Sequence, residues 1–269
     1  MTFTLDESLG LERRDENRFA GHTDKRYWNM TGPYGGWVAA MLLKAAIHDQ
    51  AEQVFEPVAI TVDFMKAPKE GPVILRRACD RSGRTASFWR VEMESADGTP
   101  CARALLTMAA RRDTAVFSPE TMPHVPKPDR VERFETTLLP VKWAHLYETR
   151  VVKGAMCGIT PDTQSLVWVR DADGRPIDHL SMLAISDSPF PRLFLATGRP
   201  ANISTITMTT YLHASMAELQ AIGGDLILAD SRCARSVGGF YDQHSHFYSQ
   251  SGDLVAASQQ MVWYDRKPD

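Results

Sequence analysis

The distribution of apolar and polar positions divides the first part of the chain into one helical segment and several strand-like segments. Gly36 to Gln50 is apolar around nearly the whole circumference of a helix, so other structure must enclose it. From Thr85 to Glu94, Trp89 and Val91 alternate with charged residues, the period-two pattern of a half-buried antiparallel strand. The strand segments after the helix run over residues 58–65, 73–79, 85–94 and 101–109. This order predicts a curved antiparallel sheet wrapped around a buried helix.

The second half of the chain offers the same order of parts. An apolar segment from Ile177 to Ala196 takes the place of the helix, and Pro189 and Pro191 must break or restart it, because proline lacks an N–H and clashes with the preceding turn. Strand patterns stand on both sides of this segment, at residues 147–152, 165–170, 203–213, 226–234, 240–249 and 254–264. We therefore predict an α+β fold in both halves.

A proline-rich stretch separates the two halves. Residues 118–129 contain four prolines and no apolar period, which predicts an extended surface linker. A shift of 154 residues, from Cys79 to Cys233, pairs identical residues in matching predicted hairpins: Arg81 with Arg235, Ser82 with Ser236, Gly98 with Gly252 and Ala102 with Ala256. The predicted domains are residues 1–117, a linker at 118–130, and residues 131–269. Two unrelated α+β domains are the alternative to duplication.

The amino-acid composition argues against nucleic acid, membrane and metal ions as partners of this protein. The 269 residues carry a formal net charge of -3, without the basic excess of a nucleic-acid binder. No continuous apolar stretch predicts membrane insertion, and the charged N-terminus lacks the apolar core of an export signal, so we expect a cytoplasmic protein. The four cysteines, including Cys157, form no CxxC pair, and we expect reduced thiols and no metal site.

Three segments of the first half resemble a known family when taken in order: Tyr34-Gly35-Gly36-Trp37, Thr61 to Pro68, and Arg81 to Ser87. With Ile206 to His213 and Ser251 to Gln260, the chain resembles the type II acyl-CoA thioesterases, which have a double-hotdog fold. The resemblance implies two antiparallel sheets, each wrapped around a long central helix and paired as a pseudo-dimer. It also implies an acyl-CoA substrate, a place in lipid metabolism, no cofactor, and possible association into a homo-oligomer.

The family's chemistry, as the resemblance implies it, uses an aspartate, a threonine and a glutamine to activate water against the thioester carbonyl. By the resemblance, the glutamine is Gln260, which could hold water and donate to the developing oxyanion. The family aspartate falls on Thr207, whose hydroxyl can orient water but cannot act as a general base near neutral pH. The family threonine falls near Ala234, which has no hydroxyl, although Ser231 and Ser236 are close in sequence.

Two aspartates are candidates for a base at another position. Asp63 lies in the first-half strand that corresponds to the strand of Thr207, and its alternative is a solvent-facing strand residue. Asp187 lies within the second apolar segment, in Ile185-Ser186-Asp187-Ser188, and hotdog thioesterases of other subfamilies place a carboxylate on the central helix. Its alternative is an N-cap for a helix that restarts at Pro189.

The start of the first helix is a candidate oxyanion site. Gly35 and Gly36 would let a carbonyl oxygen approach the exposed amides of a helix N-terminus, although close packing of helix on sheet explains them equally. The resemblance places substrate in a groove between helix and sheet, and we name Tyr34, Gly35, Gly36, Trp37, Phe64 and Tyr211 as candidate substrate-binding residues.

These residues support three hypotheses about the function. The first is an acyl-CoA thioesterase that hydrolyses acyl-CoA to the free acid and CoA through an activated water. The second is a non-catalytic acyl-CoA or lipid-binding protein on the same fold, suggested by Thr207 in place of the family aspartate. The third is a hotdog hydratase, for which Gly21-His22-Thr23-Asp24 supplies the residue types without the expected spacing.

Overall fold

A computed structural model describes residues 2–48, 55–154 and 159–265. The helices are α1 (Thr4–Ser8), α2 (Gly35–Ile47), α3 (His179–Ile185), α4 (Arg192–Thr197) and α5 (Met216–Ile222). The strands of the first half are β1 (Glu12–Arg13), β2 (Arg18–His22), β3 (Glu56–Phe64), β4 (Pro72–Ser82), β5 (Ala86–Ser95) and β6 (Pro100–Ala109). Those of the second half are β7 (Tyr147–Lys153), β8 (Ser165–Asp171), β9 (Ile203–Leu212), β10 (Ile227–Arg232), β11 (Ser236–Val237), β12 (Phe240–Tyr248) and β13 (Leu254–Tyr264).

The strands of both halves form one continuous antiparallel sheet. Its order is β1-β2-β4-β5-β6-β3-β9-β13-β12-β10-β8-β7, with β11 beside β12. β3 and β9 join the halves, with Thr61 opposite Thr209, and the two threonine hydroxyls are 3.0 Å apart. The prediction had two separate sheets; hydrogen bonding between β3 and β9 makes them one.

The long helix of the first half is buried on all sides, as its all-round apolar sequence predicts. Ten of the residues of α2 are buried, and the helix packs against β4, β5 and β6 and against α3. At its C-terminal end the Arg77 guanidinium donates to the carbonyl oxygens of Ala45, Ala46 and His48. Residues 49 and 50, the predicted end of this helix, lie outside the described residues.

The second half has a shorter helix at the corresponding place. α3 covers only His179–Ile185, and its N-cap is Asp178, whose side chain accepts a hydrogen bond from Ser181 N–H. Pro189 and Pro191 separate it from α4, which begins after Pro191. The prolines therefore break the apolar segment as predicted, and the second helix is short where the resemblance implied a long one.

The stretch between the halves has no helix or strand from residue 110 to 127. It nevertheless packs on the second half: Met122 and Val125 contact a cluster that includes Trp168, whose indole N–H donates to the Pro126 carbonyl. None of the described helices has the length and apolar character needed to cross a membrane. Cys157 lies outside the described residues.

Candidate active site

A cavity of about 200 Å³ lies where the start of α2 meets the second half of the chain. Its wall takes residues from both halves: Gly35 and Phe64 from the first, and Asp187, Thr205 and Gln260 from the second. Because neither half encloses this space alone, the cavity depends on the contact of α2 with α3 and of β3 with β9.

Asp187 contributes a carboxylate to the cavity wall. It follows the last turn of α3, and its Oδ2 accepts a hydrogen bond from the backbone N–H of Gly36 at 2.9 Å. Its Oδ1 accepts from Nε2 of Gln260, also at 2.9 Å. Asp187 keeps some accessible surface because it lines the cavity, but burial around the carboxyl raises its pKa to about 7, against the opposing effect of both hydrogen bonds. A carboxylate with this pKa can exchange a proton near neutral pH.

Gln260 connects the aspartate to a threonine on the neighbouring strand. Gln260 lies in β13, is 3% exposed, and accepts a hydrogen bond at Oε1 from the hydroxyl of Thr205 at 3.2 Å. An ionised carboxylate can only accept hydrogen bonds, so the atom of Gln260 that faces Asp187 is the nitrogen, and the atom that faces Thr205 is the oxygen. The structure thus brings together an aspartate, a threonine and a glutamine, in the order Asp187, Gln260, Thr205.

The aspartate and threonine of this group come from positions other than those we assigned by resemblance. Thr207 pairs with Met261, which is 40% exposed, so its side chain lies on the outer face of the sheet. A β-bulge opposite Met261 and Val262 turns Thr205, two residues earlier, to the cavity side. Ala234 is exposed after β10 and lies outside the cavity wall.

The structure places the two candidate bases, Asp63 and Asp187, in different surroundings. Asp63 pairs with Thr207 across β3 and β9 and forms a 2.6 Å ion pair with Arg103 on the outer face. Asp187 reaches the cavity, and the N-cap of α4 is Pro191, without any side-chain cap. Of these two, only Asp187 has contacts that place a base beside Gln260.

The start of α2 serves to bring the helix close to α3. A Cβ on Gly36 would collide with the carbonyl oxygen of Ala184 and the ring of Tyr34, so only glycine permits this approach. Tyr34 lines the cavity and donates from its hydroxyl to the same Ala184 carbonyl at 2.7 Å. The Gly36 amide is already used by Asp187, whereas Gly35 faces the cavity.

Of the remaining candidate substrate-binding residues, one lines the cavity, one lies in the core and one lies on the outer face of the sheet. Phe64 lines the cavity. Trp37 is fully buried and donates from its indole to Ser8, because the all-round apolar helix turns it into the core. Tyr211 is 51% exposed on the outer face of β9. Neither of the last two lines the cavity, so neither enters the proposal below.

Sequence reasoning missed Thr205 as a member of the site. Its neighbours in β9 alternate regularly in sequence, and an alternation without a bulge would place Thr205 and Thr207 on the same face. A bulge adds one residue to one strand of a pair. Because a run of threonine and isoleucine suits a regular strand equally well, the amino-acid composition of this segment does not reveal the bulge.

Two family models match the chain, the acyl-CoA thioesterase N-terminal domain over residues 25–109 and the acyl-CoA thioesterase C-terminal domain over residues 119–264. No curated protein matches the chain significantly. Among solved structures, a conserved protein of unknown function with a hotdog fold from Alicyclobacillus acidocaldarius is 30% identical, with 100% of both chains covered and a TM-score of 0.95. The acyl-CoA thioesterase II TesB2 from Mycobacterium marinum is 19% identical, with 99% of both chains covered and a TM-score of 0.77. The chain therefore belongs to the acyl-CoA thioesterase family and has the hotdog fold.

Proposed function

We propose that this protein is an acyl-CoA thioesterase that hydrolyses an acyl-CoA to the free acid and CoA through a water activated by Asp187. The observation that carries the proposal is the hydrogen-bonded group of Asp187, Gln260 and Thr205 on the wall of a cavity shared by both halves. Membership of the acyl-CoA thioesterase family supports the choice of substrate class.

Each member of the group has one part in the proposed reaction. Asp187 takes a proton from a water in the cavity as the water attacks the thioester carbonyl carbon. Gln260 positions that water and keeps Asp187 in place through its Nε2. Thr205 fixes the Gln260 amide in the required orientation. The tetrahedral intermediate then collapses, the C–S bond breaks, and the proton held by Asp187 passes to the leaving CoA sulfur.

The larger arrangement belongs to the same proposal. The two halves, residues 1–117 and 131–269 with the linker 118–130, act as a pseudo-dimer in which each part of the sheet curves around its helix. The acyl group occupies the cavity, and the amide of Gly35 is an oxyanion donor at the start of α2. Its position on the cavity wall supports that role.

Release of CoA from a panel of acyl-CoAs tests the proposal. With a thiol-detecting reagent, we expect turnover of at least one chain length by the wild type. Gln260→Ala should lower kcat by about 100-fold, the scale of a lost group that acts on the transition state. Gln259→Ala is the matched control, because Gln259 is the exposed neighbour on the same strand.

Two results would count against the proposal. If the wild type binds acyl-CoAs and releases no CoA from any of them, the protein is a non-catalytic acyl-CoA-binding protein, the second hypothesis drawn from the sequence. If Gln260→Ala retains the wild-type kcat, the assignment of the site fails even where the activity exists.

A further inference from the structure

A second glutamine lines the cavity, and a buried arginine holds it. Arg192, the first residue of α4, is 1% exposed. Among the described residues its guanidinium donates only to neutral oxygens: the carbonyls of Phe190, Thr163 and Ser231, the hydroxyl of Ser165, and Oε1 of Gln243. No carboxylate forms an ion pair with it among the described residues, so its positive charge is not cancelled by a direct contact.

The charge of Arg192 persists at neutral pH. Burial lowers the pKa of its guanidinium to about 10, which leaves it protonated at pH 7. A buried cation without an ion-pair partner is costly for folding, and such groups are concentrated at functional sites. The cavity wall lies directly beside it, since Pro191 and Gln243 both line the cavity.

The contact with Arg192 fixes the direction of the Gln243 amide. An arginine N–H can only donate, so the atom of Gln243 that faces it at 3.2 Å must be the oxygen Oε1. The amide nitrogen Nε2 then points the other way. Gln243 is 3% exposed, and its Nε2 has no hydrogen-bond acceptor within the described part of the chain. A donor on the cavity wall without a protein acceptor is available to an acceptor atom of a ligand in the cavity.

The position of Gln243 relates this donor to the reacting group. Gln243 in β12 lies directly opposite Gln260 in β13, and both side chains face the cavity. The Cβ atoms of such cross-strand partners are about 5 Å apart, so a substrate held at Gln260 is within reach of Gln243. Gln243 would add a second donor to the Gly35 amide proposed above, since the Gly36 amide at the helix start already donates to Asp187.

We propose that Gln243 donates a hydrogen bond from Nε2 to the thioester carbonyl oxygen of the substrate, and that Arg192 is the positioning residue that orients it. This inference rests on the proposed function. As water adds to the carbonyl carbon, negative charge develops on that oxygen, and a donor already in place stabilises the charge without reorganisation. The uncancelled charge of Arg192 behind the amide adds a favourable positive potential.

Two substitutions at Gln243 separate its donor from its structural contact. Gln243→Glu keeps an acceptor for Arg192 and removes the N–H donor. Gln243→Leu removes both without adding a charge. With the acyl-CoA that the wild type hydrolyses fastest, we expect both variants to lose about 100-fold in kcat with KM changed less than about threefold. Gln259→Glu, which makes the same change on the exposed face of β13, should keep the wild-type kcat.

The role of Arg192 is tested through Gln243. Arg192→Lys keeps the charge and loses the planar fork of donors. We expect it to lower kcat, and we expect the double variant Arg192→Lys with Gln243→Leu to be no slower than Gln243→Leu alone, because the two residues act as one unit. Additive losses would contradict a positioning role.

The outcomes distinguish this inference from the function on which it rests. If the wild type releases no CoA, both fail. If the wild type releases CoA and either Gln243 variant folds and keeps kcat within about twofold, only the present inference is overturned. Thermal unfolding of each variant establishes that it is folded, and Gln243→Glu retains the Arg192 contact for that purpose.

Discussion

At the scale of single residues, the proposed site depends on which face of the sheet each threonine side chain of β9 lies on. Thr205 donates to Gln260 on the cavity side, whereas Thr207 lies on the outer face opposite Met261. Thr205→Val should therefore lower kcat about tenfold, the rate equivalent of one lost orienting hydrogen bond. Steady-state CoA release measures the effect.

Thr207→Val is the matched control for this prediction. It makes the same substitution two residues away on the outer face, and we expect kcat within about twofold of the wild type. The reverse result, with Thr207→Val impaired and Thr205→Val active, would restore the assignment made from sequence.

Of the proposed site, Gln260 could be named from sequence because the segment around it carries the family resemblance, and Asp187 could be named as one of two candidate bases. The choice between Asp187 and Asp63 was not available in the sequence. Both are aspartates within apolar segments, and only tertiary packing shows that Asp187 accepts from Gly36 and Gln260 while Asp63 pairs with Arg103.

At the scale of elements, periodicity is a good guide wherever one face of an element is buried. The alternation of Trp89 and Val91 with charged residues corresponds to β5, and the all-round apolar run corresponds to α2. α5 was not predicted, because Met216–Ile222 is seven residues long and its signal is a local one, the capping box between Ser215 and Glu218.

The bulge in β9 marks the limit of element-level prediction. Strand periodicity predicts which residues share a face only while the pairing register is unbroken. The register shift opposite Met261 and Val262 arises from pairing with β13, a partner about fifty residues away in sequence. A local pattern contains no information about such a partner, so the bulge and its effect on Thr205 follow from the fold.

At the scale of the whole molecule, the halves are joined by the strand pair β3 and β9 and by Arg111. This residue follows β6 in the first half and donates to the carbonyl oxygens of Leu212, His213 and Ala214 in the second. Arg111→Met should lower the free energy of unfolding by about 1–2 kcal/mol, because hydrogen bonds to a partly buried charged group are lost. Thermal unfolding should show a Tm lower by several degrees.

The control for the junction is Arg103→Met. Arg103 forms an ion pair with Asp63 near the same junction, but both side chains are well exposed, so its loss should change the unfolding free energy by less than about 0.5 kcal/mol. Equal effects of the two substitutions would mean that the three backbone contacts of Arg111 do not stabilise the junction. Neither residue lines the cavity, so kcat should be unchanged in both.

The use of both halves for one cavity is also a property of the whole molecule. The proline-rich stretch and the 154-residue shift suggested two copies of one unit, and the sheet order is nearly symmetric about the pair β3 and β9. The sequence could not show that the first half supplies the Gly36 amide to the carboxylate of the second. That contact depends on how α2 and α3 pack.

The pH dependence of kcat/KM tests the central claim, that Asp187 acts as the general base, most directly. Its pKa is raised to about 7 by burial, and only the deprotonated carboxylate can accept a proton from water. Below about pH 6, kcat/KM should rise about tenfold per pH unit, and it should level off above about pH 8. Asp187→Asn should lose at least about 100-fold at pH 8 and should lose this pH dependence. A wild-type profile that is flat from pH 5 to 9, or an Asp187→Asn variant as active as the wild type, would contradict the account.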